Sequence, residues 1–126
     1  DVRGSVRHLK RGGLLWYAPD QDPSKGERVF VPFFGQPANS LASTHQLARL
    51  SGAAVMMFQH YRRPDGGYTL KMWPAFDGFP SDDAVADTAR VMAAVEEMVR
   101  AAPEQYLWIH RRFKRQPDGR SPYREA

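Results

Sequence analysis

Ser40–Phe58, SLASTHQLARLSGAAVMMF, carries the reading on which the fold turns. Leu41, Thr44, Leu47, Ala48 and Leu50 recur at helical spacing, Ser40 is of the type that caps a helix start, and Gly52 stands where a left-handed C-terminal residue belongs. Gly52 then opens Ala53–Phe58, an apolar run too continuous for a strand with one wet face. Upstream, Val29–Phe34 is a second apolar run; Pro32 lacks the N–H that a central ladder position needs, so the run reads as an edge strand or extended loop. Strand, helix and strand in that order predict a crossover unit with parallel strands and an α/β fold.

Working outward, Leu14-Leu15-Trp16-Tyr17-Ala18 reads as a buried strand stopped by Pro19, whose C-terminal end delivers Asp20-Gln21-Asp22 into a loop. Before it, Val2, Val6 and Leu9 mark a helix ended by Gly12-Gly13. Downstream, Arg63-Pro64-Asp65-Gly66-Gly67 is a turn signal between Ala53–Tyr61 and Tyr68–Trp73. There Tyr68, Leu70 and Met72 alternate with Thr69 and Lys71, which predicts a hairpin with one wet face. Val85, Thr88, Met92, Val95 and Val99 form the stripe of a helix over Ala84–Arg100, with Ser81-Asp82-Asp83 as cap and Pro103 as stop. Tyr106–Ile109 reads as a last buried strand, and Gln116 onward as a polar tail.

With 126 residues, 42% of them hydrophobic, the chain suits one domain around one core. Lys and Arg outnumber Asp and Glu by 18 to 14, which favours an anionic partner without naming it. The absence of cysteine excludes disulfides and thiolate metal sites. Gly52–Phe58 is the longest apolar stretch and falls far short of the roughly 20 residues of a spanning helix, so a soluble or peripheral protein is expected.

No Gly-rich phosphate loop, His-Glu-x-x-His or Gly-x-Ser-x-Gly motif is present, and the four histidines are scattered singly. Four stretches carry chemistry. Asp20, Gln21 and Asp22 lie where open α/β sheets place their sites, or else bond only their own turn. His45 and Arg49 sit four residues apart on one helix and read as a solvated face. His60 and Asp65 have the spacing of a general base and its orienting carboxylate, but Asp65 falls at the hairpin tip, where it would point away from any pocket. His110, Arg111, Arg112 and Lys114 follow a buried strand directly, as a phosphate-facing cluster or as a solvated cationic end.

Together LLWYAPDQD, VFVPFFG, LARLSGAAV and APEQYLWIHRRFK strongly resemble the C-terminal half of the Kdo-dependent lipid A biosynthesis (lauroyl-type) acyltransferases of Gram-negative bacteria. The resemblance covers residues 1 to about 119, as the C-terminal part of a single acyltransferase domain, with 120–126 as tail. It implies a glycerolipid-acyltransferase-like α/β sandwich: a mixed sheet with a parallel crossover, a hairpin and flanking helices. It implies transfer of a fatty acyl group from acyl carrier protein to a hydroxyl of a phosphorylated lipid A precursor, without a cofactor, at the cytoplasmic face of the bacterial inner membrane. The family's catalytic His-x-x-x-x-acidic motif belongs to the N-terminal half, so no catalytic residue is assigned here, and His60 and Asp65 match its spacing only. Asp20, Gln21, Asp22, His110, Arg111, Arg112 and Lys114 are the expected substrate-binding residues. By the same resemblance the Asp20–Asp22 loop would correspond loosely to the third motif of the wider glycerolipid acyltransferases, departing from it with Asp-Gln-Asp in place of the usual acidic-Gly-Thr-Arg. Two rivals stand beside this reading: a small nucleic-acid-binding module, because basic residues interleave with Trp108 and Phe113, and a non-catalytic interaction domain. On the acyltransferase reading no nucleic acid is bound, and a steep salt slope on DNA belongs to the first rival alone.

Overall fold

The computed structural model describes residues 1–123. The chain is mixed α/β, in the order α1 (Val2–Lys10), β1 (Arg28–Phe33), β2 (Gln36–Leu41), α2 (Ser43–Ser51), β3 (Phe58–Arg62), β4 (Tyr68–Met72), α3 (Ala84–Ala101) and a 3-10 turn, Pro103–Gln105. β1 pairs antiparallel with β2, and β3 antiparallel with β4.

The helices follow their local signals. The Asp83 carboxylate accepts from the N–H groups of Val85 and Ala86 at 2.9 and 3.0 Å, as a cap should. Gly52 closes α2 at φ 74°, its N–H bonded to the Ala48 carbonyl at 2.8 Å. The expected cap at Ser40 is not formed: Ser40 is buried inside β2, and Ala42 precedes the helix. The Ala42 N–H is held instead by the Glu27 carbonyl at 3.0 Å, so the chain is still in hairpin geometry where the cap would have formed.

β1 and β2 close with Phe33 opposite Gln36, leaving the two-residue loop Phe34-Gly35 at φ 50° and 73°. Both angles are positive, the geometry whose twist suits a tight hairpin. Phe34 holds this conformation because its N–H donates to Glu96 Oε2 at 2.7 Å and its ring lies under the Arg100 guanidinium, 4.8 Å away. Pro32 stands opposite Pro37. Ladder alternation makes that a non-hydrogen-bonded pair, so neither missing N–H breaks the ladder. Val31, Phe33 and Ala38 pack on Met92, Val95 and Val99 of α3 as the core, with Tyr106 and Phe113 against them.

Among the described residues no parallel pair exists, so the expected crossover is not built. Leu14–Ala18 and Tyr106–Ile109 are not strands, and Ala53–Met57 is extended without a full ladder. Leu14, Trp16, Leu107 and Ile109 are mostly exposed. An apolar run specifies that a segment prefers burial, but not which strand covers it. Among the described residues Leu14–Ala18 and Tyr106–Ile109 have no neighbouring strand, and Ala53–Met57 is paired on one side only, where the Val55 and Met57 carbonyls accept from the Phe76 and Trp73 N–H groups. The hairpin at Phe58–Met72 forms as expected, but its apolar face, with Tyr68, Leu70 and Met72, is the exposed one.

Candidate functional site

Residues 19–23 cross between β2 and the segment after the 3-10 turn. Ala18 and Asp22 each precede a proline, which biases both toward extended backbone and keeps the loop open. Tyr106 Oη donates to the Asp20 carbonyl at 3.2 Å, and the Asp22 N–H donates to His110 Nε2 at 2.8 Å. A backbone N–H can only donate, so Nε2 accepts and the ring proton of His110 resides on Nδ1. Burial, followed by the charge of Asp20, pushes the Tyr106 phenol up to about 12.

The Asp22 carboxylate is fully buried, and such a group must be paired. Asn39 Nδ2 donates to Oδ1 at 2.8 Å, Lys114 Nζ lies 3.3 Å from Oδ2, and Arg115 Nη1 bonds the same oxygen. Asn39 and Arg115 also donate to the Pro23 carbonyl, at 3.1 and 2.9 Å. With both oxygens engaged, the Asp22 carboxylate holds Asn39, Lys114 and Arg115 in place. Beside it opens a depression of about 400 Å³ lined by Arg28, Phe30, Asn39, Lys114, Arg115, Gln116 and Gly119. Lys114 and Arg115 sit on the Asp22 carboxylate and Arg28 lines the same depression, so the three cations leave a surplus of positive charge suited to a phosphate group.

The structure therefore brings Asp22, His110 and Lys114 together. Asp20 contributes its backbone carbonyl and Gln21 is exposed. Arg111 is exposed, its guanidinium 5.9 Å from the Tyr123 ring centre. Arg112, expected to face phosphate, is turned inward and is 1% exposed. Its Nη1 donates to the Asn39 carbonyl at 2.6 Å and its Nη2 to Ser40 Oγ at 2.8 Å, and the guanidinium stands 5.5 Å from the Phe33 ring centre. Phe30 opposite Asn39 is a non-hydrogen-bonded pair, so the Asn39 carbonyl points away from β1, and Arg112 satisfies that outer edge. Burial holds the Arg112 pKa below its ordinary value.

His60 and Asp65 do not meet. Asp65 is tied to the Arg63 guanidinium at 3.0 and 3.1 Å and to the Gly67 N–H at 3.0 Å, inside the hairpin turn. The reading of His45 as part of a solvated face is overturned. It is buried, and its Nδ1 lies 2.7 Å from Asp87 Oδ2, while Arg49 makes an exposed pair with Asp82. Burial raises the Asp87 carboxyl, but hydrogen bonds from His45 and the Ser81 N–H outweigh it and hold the group below the usual carboxylate range. Arg28, Asn39, Arg115 and Asp87 were not singled out by the sequence. Asp87 alone left a local signal, an acidic residue one turn before Val91 on the buried side of α3.

The sequence model of the family described as bacterial lipid A biosynthesis acyltransferase matches residues 1–115. The chain is 45% identical over 121 residues to the lipid A biosynthesis lauroyltransferase of Escherichia coli (strain K12), covering 94% of this chain and 40% of that protein. It is 42% identical to the lipid A biosynthesis palmitoleoyltransferase of the same organism, covering 96% and 40%. A lipid A biosynthesis acyltransferase of Haemophilus influenzae is 35% identical, with 97% and 40% covered. The chain spans about 40% of the length of these relatives. It belongs to the bacterial lipid A biosynthesis acyltransferase family.

Proposed function

We propose that, as a member of this family, the chain is the C-terminal part of a single acyltransferase domain, residues 1–119, in an enzyme that acylates a phosphorylated lipid A precursor. The acceptor hydroxyl attacks the thioester carbonyl of an acyl group carried by acyl carrier protein. An ester C–O bond forms, the thioester C–S bond breaks, the hydroxyl proton goes to a general base, and the carrier leaves as a thiolate that takes that proton from the base. Among the described residues, His60 and Asp65 do not form such a base, so this part of the protein contributes binding. The observation that carries the reading is the depression at Asp22, where Arg28, Lys114 and Arg115 present donors to an anion. A phosphate of the precursor fits it in charge and in the planar geometry guanidinium groups favour.

The same reading places the enzyme at the cytoplasmic face of the bacterial inner membrane, in peripheral contact through this part. No described helix is long and apolar enough to cross a membrane. The names of the relatives make a lauroyl or palmitoleoyl donor the first to try. The test is incubation of full-length enzyme with carrier-linked laurate and the bis-phosphorylated precursor, read by mass spectrometry. A precursor heavier by one acyl group is expected; an unchanged precursor with every donor offered refutes the assignment.

A further inference from the structure

The outer face of the β3–β4 hairpin is bare and apolar. Phe58 stands opposite Met72, His60 opposite Leu70 and Arg62 opposite Tyr68. Tyr68, Leu70 and Met72 are 63%, 68% and 63% exposed, and Met56, just upstream on the same side, is 48% exposed. The other face meets α3: Gln59 is buried there, its Nε2 donating to the Met98 carbonyl at 2.8 Å, and Tyr61 and Thr69 are half-buried.

One edge of this hairpin is also open. The Val55 and Met57 carbonyls accept from Phe76 and Trp73 on the β4 side. By alternation, the backbone groups of Met56, Phe58 and His60 point the other way, and none has a hydrogen-bond partner among the described residues. At the next outward position the pairing is supplied by a side chain. Gln105 Oε1 accepts from the Arg62 N–H and its Nε2 donates to the Arg62 carbonyl, both at 2.8 Å, in the manner of a strand residue. An open apolar edge invites pairing unless lysine, proline or a bulge blunts it. Met56–His60 contains none of these.

We propose that this edge and face receive another part of the same polypeptide, lying beyond these 126 residues: a strand that pairs with Met56–His60, and an apolar element packed over Phe58, Leu70 and Met72. The length available is large, since the chain spans about 40% of its relatives. Other occupants fit less well. A second copy paired edge to edge leaves both outer faces uncovered. A bilayer covers the face but leaves the edge N–H and C=O groups without partners, which hydrocarbon does not tolerate. A strand with its packing element satisfies both. The apolar run Ala53–Phe58 then has the two covered faces that its composition demands. This inference rests on family membership and not on the substrate reading, so a failure of acyl transfer leaves it standing.

The experiment uses full-length protein in its own membranes, with the photo-cross-linking residue p-benzoylphenylalanine in place of Leu70 and, in a second variant, of the exposed Tyr68. Cross-linked peptides are identified by mass spectrometry. Amide hydrogen exchange is read on the unsubstituted protein, solubilised and monomeric. The proposal expects cross-links within one polypeptide to segments outside the 126 residues. It also expects edge amides at Met56, Phe58 and His60 that exchange at least about tenfold more slowly than the exposed Lys25 amide. Adducts to lipid, adducts between two copies, no adduct from either position, or edge amides exchanging at the Lys25 rate would each overturn it.

Discussion

Arg112→Ala separates the inward arginine from its exposed neighbour. The wild-type guanidinium makes two hydrogen bonds to oxygen, at the Asn39 carbonyl and Ser40 Oγ, and a weak one to Met92 Sδ at 3.9 Å, in a site that is 1% exposed, and its Nε has no partner among the described residues. Hydrogen bonds from a charged donor contribute about 1.5–3 kcal/mol each, a gross loss of roughly 3–6 kcal/mol. Against this stands the guanidinium's recovered hydration, whose cost in the folded state is visible in its lowered pKa. The expected net destabilisation is about 2–4 kcal/mol, because the Asn39 carbonyl is left buried and unpaired. Arg112→Met restores packing against Phe33 and Met92 and recovers part of the loss without satisfying that carbonyl. Arg111→Ala, at an exposed position, changes stability by about 0.5 kcal/mol or less. Urea unfolding of the three variants reads all of this. If Arg112→Ala unfolded like wild type and lost precursor affinity instead, the guanidinium would face ligand and the assignment of its role would be wrong.

Other outcomes follow from the same contacts. Asp87, held below its unfolded value of about 3.9 by His45 and Ser81, gives stability that is complete above that pH and lost as pH falls through the depressed folded value. The stability gap between wild type and Asp87→Asn should therefore narrow below about pH 4 in urea melts across pH, and a gap constant down to pH 2 contradicts the pairing. Asp83→Ala removes the acceptor for Val85 and Ala86 and should lower stability by about 0.5–2 kcal/mol in denaturant unfolding. The 126-residue chain alone should show no acyl transfer above background, since His60 and Asp65 stand apart. Turnover by the chain would return His60 to consideration as a base.

What the sequence revealed was local. The cap at Asp83, the glycine at the end of α2 and the turn at Pro64–Gly67 are decided by a few adjacent residues, and all appear where their chemistry predicts. The tight loop at Phe34-Gly35 was hidden because an aromatic residue rarely takes positive φ, and only distant Glu96 and Arg100 make it tolerable there. Asp22 and His110 were each singled out by motif, but the bond joining them spans 88 positions, which no periodicity encodes. Arg111 and Arg112 are chemically alike in sequence. Only the outward-pointing carbonyl of Asn39 explains why Arg112 is the one turned inward. The apolar runs at Leu14–Ala18, Ala53–Phe58 and Tyr106–Ile109 read as strands because hydrophobicity reports a demand for burial, and the partner meeting that demand is not written in the run itself.

Arg28 offers the most direct test of the cationic depression, because it lines the cavity, is exposed, and is not among the partners of Asp22. The measurement is the affinity of full-length enzyme for the bis-phosphorylated precursor and for its dephosphorylated counterpart, in wild type and Arg28→Ala. A phosphate seated there predicts a loss of about 1.5–3 kcal/mol, roughly 10- to 150-fold in Kd, for the phosphorylated ligand. Arg28→Lys should recover part of it, and the dephosphorylated ligand should not register the change. Equal affinities of wild type and Arg28→Ala for the phosphorylated precursor would contradict the account.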